Sequence, residues 1–470
     1  MENRKSSSLK IIFRIFVGIF LLLHSASCFA QTLKKIYFDA SSTTNIDGKY
    51  LKVQPGDTLF VISIAKSTLR FVNFVGTKEK PIIITNYGGQ VVVGHENSNY
   101  GILITQCSNV HFTGSGDSNF NYGFKINKTR SGGNGFSVDG LTSNIEIDHI
   151  EICNTGFAGI VAKTNPSCSG IGNRDNFVME DVLIHDNYIH HTGGEGMYIG
   201  HSFYTGYSVF CDSVKVSLLP HEIHGLKVYN NILDSCGWDG IQVGCATENC
   251  EIFNNTVTNY GVKKVAAQQT GIQIGGGTTG LCYNNSIIKG SGPGIAVFGI
   301  GNSLIYNNII VDAGYNYFPE EKTIRVYGIF CDDRTTTPGN FFHFVNNTII
   351  RPKSDGIRFN PRLSSTNKIY NNLILQPGSL GMHYSESTSY VNLNNTINAD
   401  VKSNLYLSQV PDTIDYSLIQ SIFDYTSTLD VKAKGLNAYN LGVVTDFNNA
   451  ERPETANFDI GAFQFNATVQ

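Results

Sequence analysis

The stretch Leu226-Lys-Val-Tyr-Asn-Asn-Ile-Leu-Asp-Ser-Cys-Gly-Trp-Asp-Gly-Ile-Gln-Val-Gly244 holds two phrases that decide the fold. The first, apolar-x-Asn-Asn-x-apolar, recurs with its second Asn at 231, 255, 285, 308, 347, 372 and 395, at intervals of 24, 30, 23, 39, 25 and 23. Looser copies precede it at Ile147-Asp-His-Ile150 and Ile184-His-Asp-Asn-Tyr-Ile189. The second phrase, Gly followed by an aliphatic residue, stands at Gly159, Gly196, Gly240, Gly271, Gly294, Gly328, Gly356 and Gly381. A shortest period near 23, with longer intervals that read as 23 plus a loop, marks stacked supersecondary units. The alternation after each Gly, as in Ile241-Gln-Val243, is that of a strand with one buried face. Short strands repeated this often leave no room for helices, so the chain reads as an all-β, parallel solenoid. Each coil buries its inward row only against its neighbours, and the ends need caps.

Asn suits the repeated turn because it tolerates left-handed backbone, and aligned amides can hydrogen-bond from coil to coil. The Asn-x-Thr matches at Asn254, Asn346 and Asn394 fall inside the phrase and read as turn chemistry rather than glycosylation.

One elongated architecture uses the whole 470 residues. Charged residues at 15% and 48 glycines without a triplet period exclude collagen, coiled coil and charged disorder. Residues 1–30 are expected to be a signal peptide: Arg4, Lys5, Lys10 and Arg14 precede the apolar run Ile15 to Leu23, with cleavage after Ala30. Cys28 sits at a lipoprotein-like position, but Ser25 replaces the aliphatic residue that lipidation favours. The whole chain carries −4 and the mature chain about −7, which speaks against a nucleic-acid partner. No later stretch approaches the ~18 apolar residues of a membrane span. The expectation is a soluble monomer, secreted or periplasmic.

Nine cysteines follow the signal peptide. Their irregular spacing lacks the short paired intervals of a metal cluster. Cys107, Cys282 and Cys331 lie in apolar alternations and are expected to be buried hydrophobes, while Cys236, Cys245 and Cys250 are close enough to pair in an oxidising compartment.

The opening Val53-Gln-Pro-Gly-Asp-Thr58, Gly76-Thr77 and Pro81-Ile-Ile-Ile84, and the closing Asp459-Ile-Gly-Ala-Phe-Gln464 after Arg452-Pro453, complete a resemblance. With the two repeat phrases, the chain resembles the secreted right-handed parallel β-helix proteins of the pectate-lyase-like group over nearly its whole mature length. The resemblance implies an N-terminal cap with first coils over 31–100, a right-handed parallel β-helix with loop insertions over 101–398, and final coils with an irregular C-terminal cap over 399–470. It also implies a polysaccharide partner, though fold alone names no activity.

Coil lengths place the site. Excess residues at about 164–178 and 201–222 follow the Gly-aliphatic strand in consecutive coils and are expected to stand side by side. Insertions at about 259–270 and 312–326 precede that strand and would wall its other edge. Alternation turns outward one row of Val161, Tyr198, Gln242, Gln273, Ala296, Phe330, Arg358 and His383. The next row is Lys163, Gly200, Gly244, Gly275, Phe298, Asp332, Asn360 and Ser385, in which the glycines suggest a flat floor.

Gly194 to Ser202 is similar to the Gly-Glu-containing strand of β-helical alginate and chondroitin lyases. Pro220-His221-Glu222 with Gly237-x-Asp-Gly240 is similar to a stretch of the mannuronan epimerases. No lysine follows Gln242 where those lyases carry a base; Gly244 stands where the epimerases carry Asp, and Leu218 and Leu219 stand for their Tyr and Asp.

Elimination or epimerisation of a uronate needs a neutralised carboxylate, a base and, for cleavage, an acid. Arg174, Gln242 and Gln273 are candidates for the first role, Lys163 for the second, and Tyr198 or His201 for the third. His221, Glu195 and Asp239 complete the expected catalytic cluster, and Trp238 and Arg358 the substrate-binding set. Singly, each titratable member also reads as a solvated loop charge, a loop hydrogen-bonder or a turn acceptor. Two alternatives stay open: a noncatalytic glycan-binding protein, and a polygalacturonase-like hydrolase using Asp332 and Asp333, residues that equally suit calcium.

Overall fold

A computed structural model describes residues 33–317, 323–378, 388–394 and 398–465. The expected signal peptide with Cys28, the Gly381-Met382 phrase, His383, Ser385 and Asn395 lie outside them.

Each coil lays one strand on each of three long parallel sheets, of 13, 12 and 12 strands. Sheet I contains the strands before the Asn pair, such as Lys227–Tyr229; sheet II those after it, such as Ile232–Asp234; sheet III those opened by the Gly-aliphatic phrase, such as Ile241–Val243. Coils stay in register, so that Val228 pairs with Ile252 and Ile252 with Cys282. Like therefore stacks on like, and the core is a column of buried Ile, Val, Leu and Phe that includes Cys107 and Cys282. Cys331 is buried in the same column.

At the corner between sheets I and II the two asparagines do different things. The first takes left-handed backbone, with φ of 54° at Asn230 and Asn254. The second points inward, and its Nδ2 donates to the Oδ1 of the next coil's Asn, at 3.0 Å from Asn231 to Asn255, Asn255 to Asn285 and Asn285 to Asn308. Each Oδ1 also accepts a backbone N–H, as Asn285 Oδ1 does from Asn255 at 3.0 Å. The ladder runs from Asn187 and ends on Asn404, to which Asn372 donates at 2.9 Å. Asn395 was the expected last rung; Ser403 instead takes the left-handed position, with φ of 51°. Sheet III likewise ends with Val391–Asn392, and Asn392 pairs with Arg358 where His383 was expected. The last coil reaches sheet III later than the 23-residue period implies, so the Gly381 phrase precedes the strand.

Beyond Leu405–Leu407 the chain turns along the flank of the column. Helix Ile419–Ser427 sets Ile422 into a cluster with Ile288, Ile309, Val311 and Leu375 of sheet II. Val443 and Phe458 cover Leu304 and Tyr306 of sheet I. The first Asn of the later pairs bonds this segment: Asn307 donates to the Thr445 carbonyl at 2.7 Å, Asn346 to Asp459 at 2.8 Å and Asn371 to Leu436 at 2.8 Å. Buried Arg452 donates to Asn307 Oδ1 at 2.9 Å. The irregular C-terminal region is thus a lateral cover over the Asn corner. Among the described residues no helix is long and apolar enough to cross a membrane.

Candidate functional site

Sheet III strands Ile160–Ala162, Met197–Ile199 and Ile241–Val243 are neighbours in register, so the inserted loops do leave adjacent coils at one edge. The loops are joined three ways. Cys168 and Cys211 form a disulfide, Asn173 and Pro220 form an antiparallel bridge, and the Arg174 N–H donates to the Leu219 carbonyl at 3.0 Å. The second loop carries the hairpin Tyr207–Cys211/Val214–Leu218. At the opposite edge the 259–270 segment leans back over earlier coils, with Lys263 Nζ 2.6 Å from the Gly193 carbonyl. Tyr317 donates to Gln269 Oε1 at 2.6 Å, tying that segment to the following insertion. The disulfide replaces the pairing entertained among Cys236, Cys245 and Cys250, all three of which are buried free thiols.

Between these walls, Lys163 Nζ lies over the Tyr198 ring at 3.8 Å from its centroid. Tyr198 Oη bonds Ser202 Oγ at 2.9 Å, and Gln242 Nε2 donates to the same Oγ at 2.5 Å. Gln242 Oε1 is buried without a partner. Gln273 continues the row one rung on from Gln242. Phe157 packs edge-on against both Tyr198 and Trp238, with centroids 6.3 and 5.4 Å apart.

The histidines are buried. His221 Nε2 accepts the Thr164 N–H at 3.1 Å and its Nδ1 faces the Glu222 carbonyl at 2.9 Å, so both nitrogens are spent on pinning the loops. Burial holds His221 below the ordinary imidazole range. Burial, reinforced by the Lys163 charge, pushes His201 down to about 3. His201 Nδ1 accepts the Phe203 N–H at 3.2 Å, which leaves the neutral ring's proton on Nε2. Glu195 and Asp239 sit at equivalent places in successive coils, two residues before the strand, and are 2% and 0% exposed. Burial raises Glu195 to about 7 and Asp239 well above its ordinary value. Asp239 Oδ1 accepts the Thr270 N–H at 2.6 Å, and Glu195 Oε2 and Asp239 Oδ2 are buried without partners.

Several expected residues stand elsewhere or are engaged. Arg174 is a brace between loops: its guanidinium stacks on Tyr204 at 4.0 Å, bonds the Tyr204 carbonyl and lies 3.4 Å from Glu222. Arg358 is five rungs from Tyr198, about 24 Å at ~4.8 Å per rung. It bonds Asn394 at 2.7 Å and Asn360 at 3.0 Å. Asp333 accepts the backbone N–H groups of Arg362 and Leu363, and Asp332 pairs with Arg334 at 3.3 Å. The two carboxyls therefore serve a loop and an ion pair rather than flanking a shared gap. The glycines do not make an open floor. A Cβ on Gly200 would come within 1.8 Å of the Gly244 carbonyl oxygen, and one on Gly244 within 2.4 Å of that of His201, so they allow coils to approach one another.

The sequence reading missed Phe157, Ser202, Tyr204 and the Cys168–Cys211 bond. The disulfide carried one signal: each insertion holds one cysteine outside any apolar alternation.

Residues 215–398 match the family model for a right handed beta helix region. The chain is a right-handed parallel β-helix. No curated protein matches it in sequence. Similar solved structures include pectate lyase Pel9A, at 13% identity over 93% of this chain and 97% of that one, TM-score 0.48. A PL6 family polysaccharide lyase from Pseudopedobacter saltans is 16% identical over 80% and 94%, TM-score 0.42. A GH136 lacto-N-biosidase from Eubacterium ramulus is 12% identical over 84% and 71%, TM-score 0.48.

Proposed function

We propose that the walled face of sheet III binds an acidic polysaccharide and cleaves it by β-elimination. One observation carries the reading: Lys163 and Tyr198, from adjacent coils, meet at 3.8 Å on the strand face between the two walls. Lys163, after giving up its own proton to solvent, takes with the freed Nζ lone pair the proton next to the uronate carboxylate. The bond from C4 to the glycosidic oxygen then breaks, and Tyr198 Oη, held by Ser202, returns a proton to that oxygen. Gln242 and Gln273 are the side chains that meet the carboxylate, because Arg174 is committed to the loops. His201, neutral at physiological pH, offers Nε2–H as a further donor. The disulfide fits an exported protein, since such bonds persist in oxidising compartments.

The test is ultraviolet absorbance of unsaturated uronate over a panel of polyuronides. Lys163→Ala and Tyr198→Phe should each lower the rate by about 10²–10⁴-fold, while Asp332→Ala leaves it unchanged. Reducing ends without absorbance, or rates indifferent to Lys163→Ala, would overturn the mechanism. The Phe157, Tyr198 and Trp238 cluster favours a second reading, glycan binding without chemistry. Retarded migration in polysaccharide gels with flat absorbance on every polymer would select it.

A further inference from the structure

The outward face of sheet I, away from the walled groove, carries a separate cluster. Strands Ser108–Thr113, Ser143–Asp148 and Val182–His185 are consecutive, which places His111 opposite Glu146 and His185 opposite Asp148. The two histidines and two carboxylates therefore sit diagonally across three coils. His111 Nε2 contacts Asp148 Oδ2 and lies 3.8 Å from Glu146 Oε1. His185 Nε2 lies 3.0 Å from Glu146 Oε1 and 3.9 Å from Asp148 Oδ2. Two nitrogens and two oxygens thus alternate around a small ring. One ligand atom each of His111, Glu146 and Asp148 lies within 4.8 Å of the others, and His185 adjoins this trio through Glu146 and Asp148. An ion with bonds of about 2.0–2.1 Å would draw the four donors to the roughly 3.3 Å spacing of a tetrahedral site.

The groups behind the ring aim these atoms. Asp186 Oδ2, 2.7 Å from His185 Nδ1, fixes the imidazole with Nε2 facing the ring, the carboxylate–histidine arrangement that supports metal ligands. The other Asp148 oxygen, Oδ1, is held by Thr113 Oγ1 and His149 Nδ1, each at 2.5 Å, which turns Oδ2 toward the histidines. The His185 ring lies flat on Tyr229 with centroids 4.5 Å apart. Asp148 and His185 are covered, while His111 and Glu146 are about a third exposed and leave a way in. Glu151, Cys153 and His190 on sheet II also converge, but the Lys125 ammonium 2.7 Å from Glu151 already balances that carboxylate.

We propose that His111, Glu146, Asp148 and His185 bind one divalent transition-metal ion, zinc foremost, as a staple across three coils. Two carboxylates cancel the ion's charge, and paired imidazoles select zinc over calcium, which takes six to eight oxygen donors. The cysteine spacing gave no sign of this site, because its ligands come from three coils rather than one short motif.

Untagged full-length protein, stripped of metal and titrated with Co²⁺, should develop the intense visible band of a tetrahedral site, saturating at one equivalent and displaced by Zn²⁺. Zn²⁺ should raise the thermal midpoint in proportion to the logarithm of its concentration above Kd. His185→Ala should abolish the band, and Asp186→Asn should keep it with affinity about 10–100-fold weaker. Glu146→Gln, at a position about a third exposed, should weaken binding by at least tenfold and serves if His185→Ala does not fold. No band in the unaltered protein, or unchanged Co²⁺ affinity in Glu146→Gln, would overturn the proposal and leave the cluster a proton-bridged ion network.

Discussion

Glu195 shows what burial does to a single side chain. Its carboxyl is raised from 4.5 to about 7, chiefly by burial, so the folded chain holds the proton more tightly than the unfolded chain. The sign follows from linkage: stability is fully present below about pH 4.5, falls as pH rises, and levels off once the folded form also loses the proton near 7. The penalty at alkaline pH is about 3 kcal/mol. Glu195→Gln removes it, so urea midpoints of variant and unaltered protein should coincide near pH 4 and diverge in the variant's favour near pH 8. Equal midpoints at both would show that the carboxyl is solvated. At this scale the sequence was only partly legible. Alternation and loop counting brought Lys163, Tyr198 and Gln242 together correctly, because strand geometry alone sets their positions. Neither tool could show that Arg174 braces Tyr204 and Glu222, since a loop's length says where it leaves the column and nothing about what its side chains bond.

Among the repeating elements the asparagine ladder gives the sharpest energetic contrast. Asn285 is fully buried, and its loss would strand the Asn255 N–H and take one acceptor from Asn255 Nδ2 and one donor from the Ile252 carbonyl. At about 1–3 kcal/mol for an orphaned buried group, Asn285→Ala should cost about 2–3 kcal/mol. Asn404→Ala, at the half-buried last rung, should cost about 1 kcal/mol or less because water replaces the lost amide. Urea unfolding of the two variants checks the ranking, and equal losses would mean that the rungs do not act through burial. The ladder was readable because both asparagines recur together. Its far end was not: Ser403-Asn404 keeps the geometry with a different first residue, while Asn394-Asn395 keeps the letters, and Asn394 instead accepts a bond from Arg358.

Across the whole molecule, the column was legible because period, alternation and turn chemistry agreed. The lateral cover was not, since helix Ile419–Ser427 and the strand-poor segment after it contain no repeat. Removing residues after Leu407 should bare Ile288, Ile309, Val311, Ile350 and Leu375 on sheet II and Leu304 and Tyr306 on sheet I, two apolar strips flanking the Asn corner of the kind that drive association. The truncated chain should bind hydrophobic dyes and scatter light; a monodisperse product with the full-length midpoint would refute the cover's role. Arg452 stitches cover to column: its guanidinium bonds Thr445, Asp459, Gly461, Ala462 and Gln464 within the cover and Asn307 across the seam. A ribosome releases that arginine after every coil of the column. A nascent chain whose coils close before the cover emerges passes through a stage with one side naked, and that interval, ended only when the cover docks, is when it is most exposed to aggregation.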